Sequence, residues 1–253
     1  MFRPRVIPIL LLKNLGLVKS IKFKDHRYIG DPINAVKIFN DKKADELVFL
    51  DILASREGRT PNHQLIQKIA DESNMPFAYG GGIKSLENIR DALKYGAEKV
   101  VINSAAITNP AFVKQAADEF GTSTIVVSID VKKNIFGKYK VYTHSGTTKT
   151  DMDPLSVCLQ LEKAGAGEII LNSIDQDGTM DGYDIDLIRL VTKETSIPIV
   201  ATGGASSLED FKSAVYTGGA SAVAAGSMFV YHGPRRAVLI SFPTQSELKE
   251  LFN

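Results

Sequence analysis

Gly81-Gly82-Ile83-Lys84-Ser85-Leu86-Glu87-Asn88 returns 122 residues later as Gly203-Gly204-Ala205-Ser206-Ser207-Leu208-Glu209-Asp210. A second pair, Asn103-Ser104 and Gly226-Ser227, repeats at an offset of 123 residues. Both offsets are close to half of the 253-residue chain. The sequence therefore reads as one domain made of two similar halves, roughly 1–122 and 123–253. In each half a small-residue turn follows an apolar run. Glycine pairs let backbone N–H groups approach an anion closely, and a helix N-terminus after such a turn adds free N–H groups of its own. Two matched turns predict two matched anion sites, and so a ligand with a phosphate at each end.

Eight short apolar runs carry these turns: 6–12, 46–52, 76–79, 99–103, 124–130, 168–172, 197–202 and 221–226. Continuous Val/Ile/Leu runs suit parallel strands covered on both faces. Amphipathic stretches lie between them. Leu86, Ile89, Ala92 and Leu93 share one side of a helix over 86–96, with Ser85 and Ser207 at N-cap positions. Residues 37–43, 110–120, 154–164 and 186–194 read as further helices. Eight β/α alternations with a half-chain repeat predict a single (βα)8 TIM barrel. A doubly wound open sheet is disfavoured, because the glycines follow the third and seventh strands rather than forming one early GxGxxG. The segment 137–150 is long for a βα loop. Alternation of Tyr139, Val141 and Thr143 predicts a small hairpin over the barrel mouth.

Composition narrows the function. Net charge is +1, which favours neither nucleic acid nor a membrane surface as partner. The one cysteine, Cys158, excludes a disulfide framework and predicts a reducing, cytoplasmic setting. The four histidines lack metal-ligand spacing, so neither metal nor cofactor is expected. The N-terminal run 6–12 invites a signal-peptide reading, but Lys13 interrupts it and no small-residue cleavage site follows. A buried first strand is expected instead.

Barrel chemistry sits at the C-terminal strand ends. There stand Leu11, Asp51, Gly80-Gly81-Gly82, Asn103-Ser104, Asp130, Asn172-Ser173, Gly203-Gly204 and Gly226-Ser227. Gly81, Gly82, Asn103, Ser104, Gly203, Gly204, Gly226 and Ser227 are the predicted phosphate cradles. Asp130 is the predicted proton carrier, and Asp51 a further candidate at the site. Asp177-Gly178 lies in a loop suited to orienting ligand hydroxyls. At the opposite strand ends Arg5, Glu46, Lys99 and Glu168 begin the first, second, fourth and sixth strands. Spacing alone leaves them as solvated strand starts.

At these residues the sequence resembles the cyclase subunit of imidazole glycerol phosphate synthase. The similarity runs through essentially the whole chain. It includes ADELVFLDI (44–52), GGGIKSLE (80–87), INSAA (102–106), VYTH (141–144), GAGEI (165–169), DGTMDGYD (177–184) and TGGA (202–205). The resemblance implies a phosphorylated small-molecule substrate at the mouth and a glutaminase subunit docked at the barrel bottom. Ammonia would travel along the axis between them. It makes Arg5, Glu46, Lys99 and Glu168 the ammonia gate and puts Lys19 in a mobile first loop that closes over substrate.

There is one departure. The family places its first catalytic aspartate at the end of strand one, where this chain has Leu11. The repeat agrees, since Leu11 aligns with Asp130 between the halves. Leucine moves no proton. Loss of one acid/base member typically costs about 100- to 10,000-fold in rate. The departure resembles a side branch of the family that serves surface polysaccharides. That branch works with a glutaminase and a separate amidotransferase to build acetamidino groups on nucleotide-activated sugars. LVKSIKFKD (17–25) and RAVLISFP (236–243) look like it. The alternatives are a cyclase of histidine biosynthesis (a carbon–nitrogen lyase), the sister sugar-phosphate isomerase, and a binding module without catalysis. The isomerase also needs an acid on strand one and has no use for the charged ring.

Overall fold

The computed structural model describes residues 3–253 and is a closed (βα)8 barrel. Its eight parallel strands are β1 (Arg5–Lys13), β2 (Leu47–Asp51), β3 (Phe77–Gly80), β4 (Lys99–Ile102), β5 (Ile125–Lys133), β6 (Glu168–Ser173), β7 (Ile199–Thr202) and β8 (Ala222–Ala225). Each pairs in parallel with the next, and β8 pairs with β1 to close the ring.

Strand side chains alternate between two cores. Val6, Leu10 and Leu12 face outward into the layer between sheet and helices. Ile7 and Ile9 face inward with Val48, Ala78, Val101, Val126, Ile170, Val200, Ala222 and Ala224. Leu11 and Leu50 pack on top of that inner column. Both faces are buried, which is why the strands read as unbroken apolar runs.

The helices begin where capping chemistry permits. Ser85 Oγ accepts from Asn88 N–H, and Ser207 forms a reciprocal capping box with Asp210. Helices Pro110–Phe120 and Pro154–Lys163 match their expected starts. The helix expected over 37–43 is Pro32–Asp41. Asp31 caps it and proline takes its first position, a signal stronger than the later periodicity. No helix among the described residues is long and apolar enough to cross a membrane.

Two hairpins rise at the mouth. The expected one pairs Tyr139–Thr143 with Thr148–Lys149, and Tyr139–Thr143 also pairs with the end of β5. The other is built from the segment where the first loop is expected. Gly16–Ile21 runs back antiparallel to the end of β1 and pairs with Lys24–Gly30. Lys22 and Phe23 take positive φ in the turn, and Asp25 does so near the start of the second strand.

Candidate functional site

The two glycine turns have the same geometry. Gly81 and Gly82 have φ of 113° and 75°, and Gly203 and Gly204 have 93° and 111°. A Cβ on Gly81 would lie 2.4 Å from Asp51 O, and one on Gly203 would lie 2.7 Å from Ser173 O. On Gly82 it would meet Arg59 O at 2.4 Å, and on Gly204 it would meet Gly182 O at 2.0 Å. Each turn thus packs backbone against backbone in the same way, and only glycine fits. Asn103 (φ −111°, ψ −90°) and Gly226 (φ −118°, ψ −70°) share a second unusual conformation, each leading into a short helix at Ser104 or Ser227. The two turns and these two helix starts line one cavity in the barrel mouth, from opposite sides.

Lys19, Asp51, Asp130, Asp177 and Gly178 line the same cavity, so every residue predicted for the mouth is brought together. Asp130 is buried and accepts from Asn103 Nδ2 (3.1 Å) and Asn172 Nδ2 (3.3 Å). Burial pushes its carboxyl up to about 7, and the Asp177 charge adds to this, while the Asn172 and Asn103 hydrogen bonds oppose it. A group titrating there can take and return a proton near neutrality. Asn172 carries no motif that marks it as a partner of Asp130, although its place at a strand end is legible in the sequence. Its Oδ1 is buried without a hydrogen-bond partner.

Leu11 also lines the cavity, beside Leu50. At this level of the barrel the first half presents Leu11 and Leu50, and the second half Asp130 and Asn172.

The other predicted residues are engaged with the protein itself. Asp51 accepts from Leu53 N and Ala54 N (3.1 Å each) and pairs with Arg59 (2.8 Å). Its carboxylate caps the following turn, which limits what it can offer a ligand. Arg59 stands in no sequence motif, so only the folded loop reveals its role. Asp177 accepts from Ser20 Oγ (2.9 Å) and ties the first hairpin to the loop after β6. Gly178 lets Ser20 O approach, since a Cβ there would lie 1.9 Å from it. Lys19 lies in a paired strand, buried, with Nζ donating to Ile9 O at 2.6 Å. Burial pulls its ammonium down to about 8 despite the opposing charge of Asp177.

At the other end of the barrel Arg5, Glu46, Lys99 and Glu168 form a closed ring of ion pairs. Arg5 donates to both Glu46 and Glu168. Lys99 Nζ reaches Glu46 at 3.0 Å and Glu168 at 3.3 Å. Both carboxylates are buried. Burial works against the Arg5 charge, but Glu168 and Glu46 outweigh it and hold the guanidinium protonated. Two cations and two anions alternate, so the ring is neutral and covers the base of the inner apolar column.

Fold and site define a duplicated (βα)8 barrel with a polar-lined cavity at one mouth and a charged ring at the other end. The pattern that defines the histidine biosynthesis protein family matches residues 5–234. Proteins of Leptospira interrogans and Leptospira borgpetersenii, both provisionally named imidazole glycerol phosphate synthase subunit HisF, are 47% and 49% identical over the full length of both chains. The imidazole glycerol phosphate synthase subunit HisF of Alkaliphilus metalliredigens is 39% identical over 92% of each chain. This chain belongs to the histidine biosynthesis family of barrels, as a relative of the cyclase subunit of imidazole glycerol phosphate synthase.

Proposed function

We propose that this barrel receives ammonia from a glutaminase subunit bound at the Arg5–Glu46–Lys99–Glu168 ring and conducts it to the mouth. The ammonia would serve acetamidino-sugar synthesis for surface polysaccharide in the cytoplasm. One observation carries this reading. Leu11 and Leu50 occupy the register positions that Asp130 and Asn172 occupy in the second half. They prolong the apolar column to the mouth and remove one acid from the acid/base pair. A path so lined favours neutral ammonia over ammonium, because a charge would be desolvated along it. The glycine turns, with Asn103, Ser104, Gly226 and Ser227, would hold phosphates, with Lys19 and Asp177-Gly178 closing over the ligand. The separate amidotransferase of that route would use the ammonia.

The second reading is a cyclase of histidine biosynthesis, yielding imidazole glycerol phosphate and an aminoimidazole carboxamide ribotide. Asp130, poised near neutrality, and two intact glycine turns favour it. Cyclase turnover with the ribulosyl bis-phosphate substrate and saturating ammonium salt separates the two, since free ammonia removes any need for a glutaminase. Binding without turnover supports a different ammonia acceptor. Robust turnover overturns the amidino-sugar reading in favour of the histidine enzyme, with the conduit common to both.

A further inference from the structure

The hairpin that continues β5 stands well clear of the cavity. β5 runs three residues past Asp130, and at about 3.3 Å per residue this lifts its turn roughly 10 Å above the mouth. At the turn Ile135 is 94% and Phe136 80% exposed. The turn is pinned: Asn134 Oδ1 accepts from Phe136 N (2.9 Å) and Lys138 N (3.0 Å), and Asn134 N–H donates to Lys138 O. Two large apolar side chains are thus held outward on an ordered loop. Across the mouth the first hairpin exposes Leu15 and Tyr28.

Charge is concentrated on the same two hairpins. Besides the buried Lys19, residues 13–30 hold Lys13, Lys22, Lys24 and Arg27 against Asp25 alone. Residues 132–140 hold four lysines and no acid. The whole chain is only +1, so the excess of cations is concentrated on these two hairpins. Phosphates are already provided for inside the cavity, and an apolar tip adds nothing to a small anion. The column of the barrel opens between the two hairpins, so a body seated on both would cover its exit. Ammonia released into water at neutral pH is protonated and loses its nucleophilic lone pair.

We propose that the two mouth hairpins dock a second protein, with an acidic rim around an apolar socket for Ile135 and Phe136, that takes up ammonia leaving the barrel. The proposal rests on the conduit reading above. Charge complementarity of this kind raises association rates and makes them salt-dependent, while a buried aromatic anchor slows release.

The test titrates the intact barrel–glutaminase complex with the separate amidotransferase of acetamidino-sugar synthesis, by calorimetry at low and high salt. The double change Ile135→Ser, Phe136→Ser touches only exposed side chains and leaves the site intact. It should weaken binding about tenfold or more, and Lys138→Glu should do so most at low salt. Glutaminase binding at the other face should be unchanged in both. Unaltered affinity of the double variant, or no binding by the unmodified complex, overturns the proposal. So does flotation with phosphatidylglycerol vesicles that is lost in the double variant, which would make the tip a membrane anchor. A barrel that binds no glutaminase fails the conduit reading itself. One that binds glutaminase but not the amidotransferase fails only the docking surface.

Discussion

Leu11 stands opposite Leu50 across the β1–β2 pair, in the register position that Asp130 and Asn172 fill across the β5–β6 pair. The duplication supplies its own control: one backbone frame carries two leucines in one half and an acid with its amide in the other. Leu11→Asp should therefore add a second carboxyl in a frame that already accommodates one. We expect ammonium-dependent cyclase turnover to rise about 100-fold or more, with Leu11→Ala giving no gain. Steady-state rates on both variants decide this. No gain with Leu11→Asp would mean that the mouth lacks more than an acid.

Asp130 makes stability depend on pH. Its folded-state pKa of about 7 lies above the 3.8 of an ordinary aspartate, so the folded protein binds a proton that the unfolded chain releases. The sign follows: stability is full below about pH 4, falls as pH rises toward 7, and levels off above it. The shift corresponds to something on the order of 4 kcal/mol. Asp130→Asn removes the titration, and rotation of the Asn172 amide would give the new side chain an acceptor in the unpartnered Oδ1. Melting curves from pH 5 to 9 should show a declining Tm for the parent and a flatter one for the variant. At pH 8 the variant should be the more stable. Parallel curves would show that Asp130 is not held protonated.

Lys99 bridges the two buried carboxylates of the ring. Lys99→Ala leaves Glu46 and Glu168 sharing Arg5 alone and gives the neutral ring a net negative charge. Loss of one partner from a buried ion pair typically costs about 3–5 kcal/mol. Lys99 is partly exposed, so the lower end is expected here. In complex with a glutaminase, the opened ring should let ammonia escape, so glutamine hydrolysis should exceed product formation. Measuring glutamate and product in the same reaction gives the ratio. A ratio unchanged from the parent would remove Lys99 from any gating role.

The architecture was legible because its causes are local. Eight apolar runs, two-sided burial and a repeated Gly-Gly-x-x-Ser signature each act within a few residues, and the repeat joins them into one barrel. The residues of the mouth were legible for the same reason, since strand ends announce themselves. What they do there was less so. Asp51 reads as a ligand residue in sequence, yet Arg59 and two backbone N–H groups occupy its carboxylate. That partnership depends on how the loop after β2 folds back, and no spacing rule encodes it. The position of Lys19 likewise depends on the pairing of Gly16–Ile21 with β1, which no motif announces. The charged ring was visible as four strand starts, but only closure of the barrel brings Arg5 within reach of Glu168, 163 residues away.

The glycine turns offer a last test, because strain and cradle can be separated. Gly121 has φ 86° with nothing within 4 Å of where a Cβ would stand, whereas Gly203 has φ 93° with Ser173 O at 2.7 Å and Asn172 Oδ1 at 2.9 Å. Alanine at either position carries the cost of a positive φ, about 1–3 kcal/mol. At Gly203 it must also push the turn off β6 and disturb the amide that holds Asp130. Gly203→Ala should lower Tm well beyond Gly121→Ala and weaken binding of a phosphorylated ligand about tenfold or more, while Gly121→Ala binds normally. The equivalent change Gly81→Ala, against Asp51 O at 2.4 Å, should act on the other cradle. If a bis-phosphate ligand spans the mouth, each alanine variant should lose affinity for it, and a mono-phosphate should sense only one of the two. Calorimetric titration of both ligands against both variants distinguishes two working cradles from turns that are merely tight.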